Sequence, residues 1–230
     1  MFDISKHKTI MVQILKDIYQ DIEISSYLGF KGGTACYFFH DLPRFSVDLD
    51  FDLLNSAKKE LVFSKVRKIL EKYGEIKDKQ IKRATIFFLL SYGKGEKKIK
   101  VEISTRGWQK KYEVLDYLGI PMKIMSKEDI FANKLVALTN RNETAMRDLF
   151  DLQYFFSKTW EINIEIIRER TGKEQKAYLE YVLAFIEKLD NANILQGLGE
   201  LISEKQKAWV KNNLKKDLIF QLKLRISLLK

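Results

Sequence analysis

The sequence predicts an α+β protein with two lobes: a mixed sheet accompanied by helices, and then a lobe built of helices alone. Two observations support this fold class. Period-two alternation of apolar residues, typical of strands, occurs in the first half of the chain, whereas beyond Pro121 apolar residues recur at helical spacing. Because 230 residues suffice for two small units with a shared interface, we expect one at 1–122 and one at 123–230.

The chain begins with a predicted helix, a glycine turn and a short second helix. The first helix is predicted over 6–27, where isoleucines recur at every fourth position: Ile10, Ile14, Ile18 and Ile22. The turn consists of Gly32 and Gly33, and Thr34 is expected to cap a short helix that ends at His40.

Strands and one helix are predicted next. A strand is expected over 46–54 and an amphipathic helix over 56–73. Two further strands, over 81–92 and 97–105, are joined by the glycine-containing turn YGKGEKK and are predicted to form a hairpin.

The C-terminal half is predicted to be helical throughout. One helix is expected over 126–140, with Ser126 and Asp129 in a capping arrangement, and another over 143–157. At least three more helices are expected before Lys230, without an internal repeat.

Composition limits the class of protein. An apolar fraction of 46% and an aromatic fraction of 12% exclude a disordered chain. Lys and Arg outnumber Asp and Glu by 41 to 31, and the resulting formal charge of +10 attracts polyanions such as RNA, DNA or nucleoside triphosphates, although lysine-rich solubility is an alternative explanation. The single cysteine, Cys36, cannot form an internal disulfide, and no apolar run approaches the length of a membrane span. We therefore expect a cytoplasmic protein with no membrane partner.

The pattern with most chemical content is a glycine turn followed by two aspartates. In an extended strand Asp48 and Asp50 point to the same face, where two carboxylates repel unless a divalent cation lies between them. The turn at Gly32 and Gly33 lets backbone N–H groups approach an anionic ligand. A phosphate-binding turn next to a metal site indicates metal-assisted phosphoryl or nucleotidyl transfer.

A third carboxylate, Glu102, lies on the last strand of the predicted hairpin, on the opposite face from Val101 and Ile103. Beside Asp48 and Asp50 it would complete a site for two Mg²⁺ ions. The alternative is a glutamate that faces solvent.

A second cluster lies in the predicted helical lobe and comprises Lys134, Arg141, Arg147, Asp148 and Asp151. Lys134 and Arg141 share one helix face. If that face looks into a cleft, the lysine would neutralise charge on the phosphates and the arginines would support it. The alternative is an exposed helix with ordinary salt bridges.

Other polar residues are predicted to contact the substrate or to have no chemical role. Lys31 and Thr34 flank the glycines and are expected to bind substrate, while Arg44 and Ser46 either hold the nucleotide or end a loop. The two histidines, His7 and His40, lack a Cys or His at zinc-ligand spacing, so we assign them no chemistry.

These clusters together give the chain a family resemblance: it resembles the nucleotidyltransferase toxins of the AbiEii/AbiGii family, within the DNA polymerase β-like superfamily. The resemblance covers about the first 155 residues, in the order KGGTA, RFSVDLDF, VEI, NKLVAL and RDLFDL. It departs from the family in its short length and in the aromatic residues between Cys36 and Phe39.

The resemblance implies a bilobed, Mg²⁺-dependent enzyme that transfers a nucleotide from a nucleoside triphosphate, with the 3′ end of tRNA as the acceptor in relatives and with a paired antitoxin. It implies that Asp48 and Asp50 are metal ligands and that Lys134 is the essential lysine. Asp148 takes the role of the last aspartate, with Asp151 as the competing choice.

We therefore expect the toxin of a bacterial toxin–antitoxin or phage-defence pair that modifies RNA. One alternative is transfer to a protein or a small molecule with the same site. Another is a catalytically silent module that binds nucleotide or RNA.

Overall fold

The computed structural model describes residues 3–107, 110–141 and 144–229. The chain forms two compact units, Met1–Met125 and Ser126–Lys230. The boundary predicted between residues 122 and 123 falls inside the last strand of the first unit, which continues to Met125.

The first unit contains three α-helices and seven strands among its described residues. In chain order they are α1 (Ile4–Gln20), β1 (Leu28–Lys31), α2 (Gly32–Phe39), β2 (Leu49–Leu53), α3 (Lys59–Glu71), β3 (Glu75–Ile81), β4 (Thr85–Ser91), β5 (Ile99–Ser104), β6 (Tyr112–Tyr117) and β7 (Ile120–Met125). Short 3₁₀ turns lie at Ser25–Tyr27 and Ser56–Lys58.

The strands form one mixed sheet in the order β3-β4-β5-β2-β1-β7-β6. Strands β2 and β5 pair in parallel, as do β1 and β7, whereas the other neighbours are antiparallel. This confirms the predicted α+β class and the predicted hairpin of β4 and β5. The strand that carries the aspartates, β2, lies in the centre of the sheet between β1 and β5.

Helix α1 buries the stripe predicted from its isoleucines, but it is shorter than expected. Ile14 and Ile18 are fully buried, and Asp3 caps the helix by accepting a hydrogen bond from Lys6 N at 2.9 Å. Ile22, which the spacing assigned to the same stripe, is 91% exposed because the helix ends at Gln20. The predicted helix over 6–27 is therefore wrong beyond that residue.

Three other local predictions need correction. Thr34 does not cap α2, because the helix begins at Gly32 with Lys31 as its N-cap residue. The strand predicted over 46–54 begins only at Leu49. The prediction also omitted four strands. Strand β1 has only four residues, and β3 and β6 are the two edges of the sheet, where exposure weakens the alternation of polar and apolar residues. Strand β7 spans Pro121, beyond which the sequence pattern predicts helices.

The second unit contains five α-helices among its described residues: α4 (Lys127–Asn140), α5 (Met146–Ser157), α6 (Ile164–Thr171), α7 (Gln175–Lys188) and α8 (Glu204–Ser227). A 3₁₀ turn lies at Gly199–Leu201. The predicted cap of α4 is confirmed, since Ser126 accepts a hydrogen bond from Asp129 N. The helix predicted from 143 starts at Met146, and Glu143 lies outside the described residues. Within the described ranges, no helix combines the length and the apolar character that crossing a bilayer requires.

Candidate active site

Strand β2 brings the predicted carboxylates together. Leu49 and Phe51 point into the core and are fully buried, so Asp50 lies on the other face of the strand. In the ladders on either side, Asp50 pairs with Lys31 of β1 and with Glu102 of β5. Pairing of parallel strands thus places a carboxylate of the hairpin beside the aspartates.

The electrostatics of this site are dominated by like charge. Burial raises the pKa of Asp50, and the neighbouring carboxylates of Asp48 and Glu102 raise it further. The ammonium groups of Lys100 and Lys31 lower this pKa, but they do not offset the increase. Lys100 Nζ lies 3.6 Å from both Asp48 Oδ2 and Glu102 Oε2. Lys100 therefore lies beside two of the three clustered carboxylates, and this concentration of negative charge favours an additional cation.

The donor set fits a hard divalent cation, although it does not form a closed cage. Across the described ranges, no group of three His, Cys, Asp or Glu side chains is arranged to hold a metal ion without rearrangement. Oxygen ligands are nevertheless those that Mg²⁺ takes, and it usually binds through one or two protein carboxylates together with water and substrate phosphates. Asp48 and Asp50 supply two such carboxylates. The role of Glu102 as a third metal ligand stays a prediction, as does the number of ions.

The glycine turn packs directly against this carboxylate cluster. Gly32 has a φ of +81°, and a Cβ built there would lie 2.7 Å from Asp50 Oδ2. A Cβ at Gly33 would lie 2.7 Å from Arg44 Nη2 and 3.0 Å from Ser46 Oγ. The absence of side chains therefore lets the N-terminus of α2 approach Asp50 on one side and Arg44 on the other. Phosphate binding by this turn stays a prediction.

Arg44 is part of this turn and does not simply end an exposed loop. It is 3% exposed, and its Nη1 donates to Phe45 O at 3.0 Å. The guanidinium is thus held in place beside Gly33 before any ligand binds. Whether it also contacts substrate, like Ser46, stays a prediction.

Thr34 lies under the turn and points inward. It is fully buried in the first turn of α2, and its hydroxyl donates to the carbonyl oxygen of Asp48. The side chain therefore binds the main chain that carries the first aspartate. A contact between Thr34 and substrate stays a prediction.

A third aspartate, Asp52, was missed by the sequence analysis although it has the same spacing as the first two. It is 2% exposed and accepts from Lys31 Nζ at 2.6 Å, from Lys110 Nζ at 2.5 Å and from Tyr112 Oη at 2.7 Å. Burial would raise the pKa of Asp52, but the two ammonium groups hold it below its ordinary value. Lys31 is thus tied to Asp52, next to the glycine turn.

Gly29 makes room for that network. A Cβ at this position would lie 2.1 Å from Tyr112 Cε1, so any side chain on Gly29 would displace the tyrosine that donates to Asp52. A glycine inside a strand often marks such a close approach.

The second predicted cluster forms within the helical unit. Lys134 Nζ lies 2.9 Å from Asp148 Oδ1 and 2.9 Å from Asp151 Oδ2, and both aspartates are fully buried. Arg141 Nη1 lies 3.0 Å from Asp148 Oδ2. This buried network rules out the alternative of an exposed helix with ordinary salt bridges. Both competing aspartates contact the lysine.

Arg147 lines a cavity in the helical unit. The cavity has a volume of about 610 Å³, and its lining also includes Thr144, Ala145, Met146, Leu189, Asp190, Asn193, Gln196 and Gly197. A contact between Arg147 and substrate stays a prediction.

Comparison with known proteins gives a family match and a fold match. The family model described as nucleotidyl transferase AbiEii toxin, type IV toxin–antitoxin system, matches residues 13–219. No curated protein matches the sequence.

Solved structures are similar over nearly the whole chain. The crystal structure of JHP933 from Helicobacter pylori is 23% identical, with a TM-score of 0.60 over 98% of this chain and 96% of that one. A second H. pylori structure, of a provisionally assigned nucleotidyltransferase, is 24% identical, with a TM-score of 0.60 and 96% of each chain covered. At these identities the likeness establishes the fold.

Proposed function

The chain belongs to the AbiEii family of nucleotidyltransferase toxins of type IV toxin–antitoxin systems, and we propose that it transfers a nucleotide from a nucleoside triphosphate to RNA, with the 3′ end of tRNA as the acceptor. Family membership implies an antitoxin partner and a nucleotide substrate. The metal, the acceptor and a role in phage defence are parts of the proposal.

The observation that carries the proposal is the contact between the glycine turn and the acidic strand. Asp50 lies between Lys31 and Glu102 in the sheet and directly against Gly32. Backbone donors for phosphate and carboxylate ligands for a cation are thus held within one side-chain length of each other. Phosphoryl-transfer sites need both, because catalysis there consists of positioning and charge stabilisation.

The residues of the first unit then have distinct tasks. Asp48 and Asp50 would hold Mg²⁺, which when bound neutralises the phosphates and favours ionisation of the attacking hydroxyl. The N-terminus of α2 donates N–H groups to the triphosphate, and Arg44 adds a guanidinium beside Gly33. The acceptor hydroxyl loses its proton to water, its oxygen forms a bond to the α-phosphorus as the bond from that phosphorus to the bridging oxygen breaks, and pyrophosphate leaves with the electron pair of the broken bond.

In the helical unit, Lys134 would supply positive charge to the phosphates. Two buried carboxylates, Asp148 and Asp151, fix its ammonium group, and the lysine side chain as a whole is 13% exposed. A lysine held in this way acts as a positioned charge and loses little conformational freedom when a ligand binds.

The formal charge of +10 favours a polyanionic acceptor over a neutral small molecule. The test is to incubate the protein with each of the four labelled nucleoside triphosphates and Mg²⁺, in the presence of total RNA or purified tRNA. Label in tRNA that is abolished by EDTA supports the proposal. Label in protein or in a small molecule would show that the acceptor is not RNA. Binding of Mg·NTP without transfer to any acceptor would favour a silent binding module.

A further inference from the structure

The main chain just before strand β2 lacks the support that the sheet gives to the rest of that strand. The strand begins at Leu49, whose register partner is Val101, so Val47 and Asp48 lie ahead of the ladder. Asp48 is nevertheless one of the two aspartates to which the proposed function assigns the metal. Something other than the sheet must therefore fix its backbone.

One support comes from helix α1. His7 is fully buried, and its Nε2 lies 3.0 Å from the carbonyl oxygen of Val47. Because a carbonyl oxygen only accepts, Nε2 carries a proton, and the neutral ring then accepts at Nδ1 from Tyr92 Oη, 2.7 Å away. Burial lowers the pKa of His7, in agreement with a neutral ring that has both nitrogens satisfied.

The other support comes from helix α2. The hydroxyl of Thr34 donates to the carbonyl oxygen of Asp48, the residue that follows Val47 in the chain. Two consecutive carbonyl groups, at 47 and 48, are thus bound by side chains from two different helices. A backbone held at both peptide groups leaves the Asp48 carboxylate little freedom beyond its own side-chain rotation.

We propose that His7 and Thr34, with Tyr92 fixing the histidine tautomer, are positioning residues that hold Asp48 in the geometry needed to bind the catalytic cation. This inference rests on the proposed function. The inference goes beyond the proposed function because it gives a role to a histidine that contacts neither substrate nor metal. Residues that orient metal ligands from outside commonly change metal affinity by about tenfold to a hundredfold when they are removed.

The experiment measures Mn²⁺ binding directly, by the electron paramagnetic resonance signal of the free ion, alongside nucleotide transfer. Thr34→Val and His7→Leu remove the two donors. Thr34→Ser and His7→Gln keep a donor at each place, and Tyr92→Phe removes only the hydroxyl that fixes the tautomer. Thr9→Val is the matched control, since the Thr9 hydroxyl binds only Ser5 O on the exposed side of α1. Urea unfolding of every variant identifies those that are folded.

We expect Thr34→Val and His7→Leu to weaken Mn²⁺ binding by about tenfold or more and to slow transfer, while Mn²⁺ binding by Thr34→Ser, His7→Gln and Thr9→Val stays within about twofold of wild type. If His7→Leu does not fold, Tyr92→Phe replaces it and should show a smaller loss in the same direction. Folded donor-free variants that bind Mn²⁺ as tightly as wild type would overturn the positioning role alone. A wild-type protein that binds no Mn²⁺ would overturn the metal assignment itself and this inference with it.

Discussion

Gly32 and Asp50 lie so close together that a Cβ on the glycine would be 2.7 Å from the carboxylate oxygen Oδ2. The glycine turn and the acidic strand therefore form one structural unit. A substitution at Gly32 affects both a left-handed backbone conformation and the space beside the carboxylate, and the two effects can be separated.

Gly32→Ala is expected to reduce nucleotide transfer by at least tenfold, because the new methyl group would displace Asp50. Gly95→Ala is the matched control: Gly95 also has a positive φ, +78°, but a Cβ there would meet nothing within 4 Å. Both variants should lose about 1 kcal/mol of stability or slightly more from backbone strain. Equal loss of transfer in both, measured with urea unfolding in parallel, would show that contact with Asp50 does not matter.

Lys134→Met is expected to relieve growth inhibition when the protein is expressed in bacteria. The change also leaves Asp148 and Asp151 buried without their shared lysine, so it should cost several kcal/mol of stability. Adding Asp148→Asn and Asp151→Asn to the Lys134→Met variant removes the negative charge of the two buried carboxylates. The triple variant should therefore recover much of the stability without restoring toxicity. Toxicity that returns with stability would assign the network to folding alone.

Asp52 should stabilise the protein in a pH-dependent manner. Burial raises its pKa, but Lys31 and Lys110 outweigh burial and lower it, so the folded state binds the proton less tightly than the unfolded chain. The stabilisation is fully present above the unfolded pKa of about 3.9 and is lost as pH falls through the lower folded value. The difference in unfolding free energy between wild type and Asp52→Asn, measured in urea from pH 7 to pH 3, should therefore shrink on acidification. A constant difference would contradict the assignment.

Affinity for tRNA should fall steeply with salt if lysines bind the RNA backbone, whereas Mg·NTP binding should change much less. We predict that RNA contacts lysines of helix α8, namely Lys205, Lys207, Lys211, Lys215 and Lys216. Two of them have other partners: Lys207 pairs with Glu204, and Lys215 donates to the carbonyl oxygens of Glu187 and Leu189 at the end of α7.

The three remaining lysines of the predicted set provide the better test of RNA binding. Replacing Lys205, Lys211 and Lys216 together by Glu should weaken tRNA binding and reduce the salt slope. The same reversal at Lys77, Lys79 and Lys82, on and just after the edge strand β3, is the charge-matched control. Equal effects would point to net charge, and a tRNA affinity independent of salt would favour a protein or small-molecule acceptor.

The sequence was most informative where a local pattern determines structure. The placement of Asp50 on the face opposite Leu49 and Phe51 and the Ser126 cap each depend on residues within a few positions of one another, and both are confirmed, whereas Gly32 and Gly33 form the first turn of α2 and not a turn ahead of it. Asp52 continues the two-residue spacing of Asp48 and Asp50, so the sequence alone could have identified it as a third aspartate of the same pattern.

Long-range pairing could not be predicted in the same way. Lys110 and Tyr112 reach Asp52 only because β6 and β7 extend the sheet, and edge or short strands give weak periodicity. The role of His7 could not be predicted, because its partner is the carbonyl oxygen of Val47 and a backbone group leaves no residue-specific signal in the sequence.

Asp50→Asn tests the proposed metal site most directly, because it keeps the size of the side chain and removes only the charge of the carboxylate that lies between Lys31 and Glu102 in the sheet. Transfer of labelled nucleotide should fall by about a hundredfold or more, as is common when a catalytic group is lost, with the fold intact by urea unfolding. Asp78→Asn, on the edge strand β3, is the matched control and should stay close to wild type. An Asp50→Asn protein that retains more than about a tenth of wild-type turnover would contradict the assignment of Asp50 as a metal ligand.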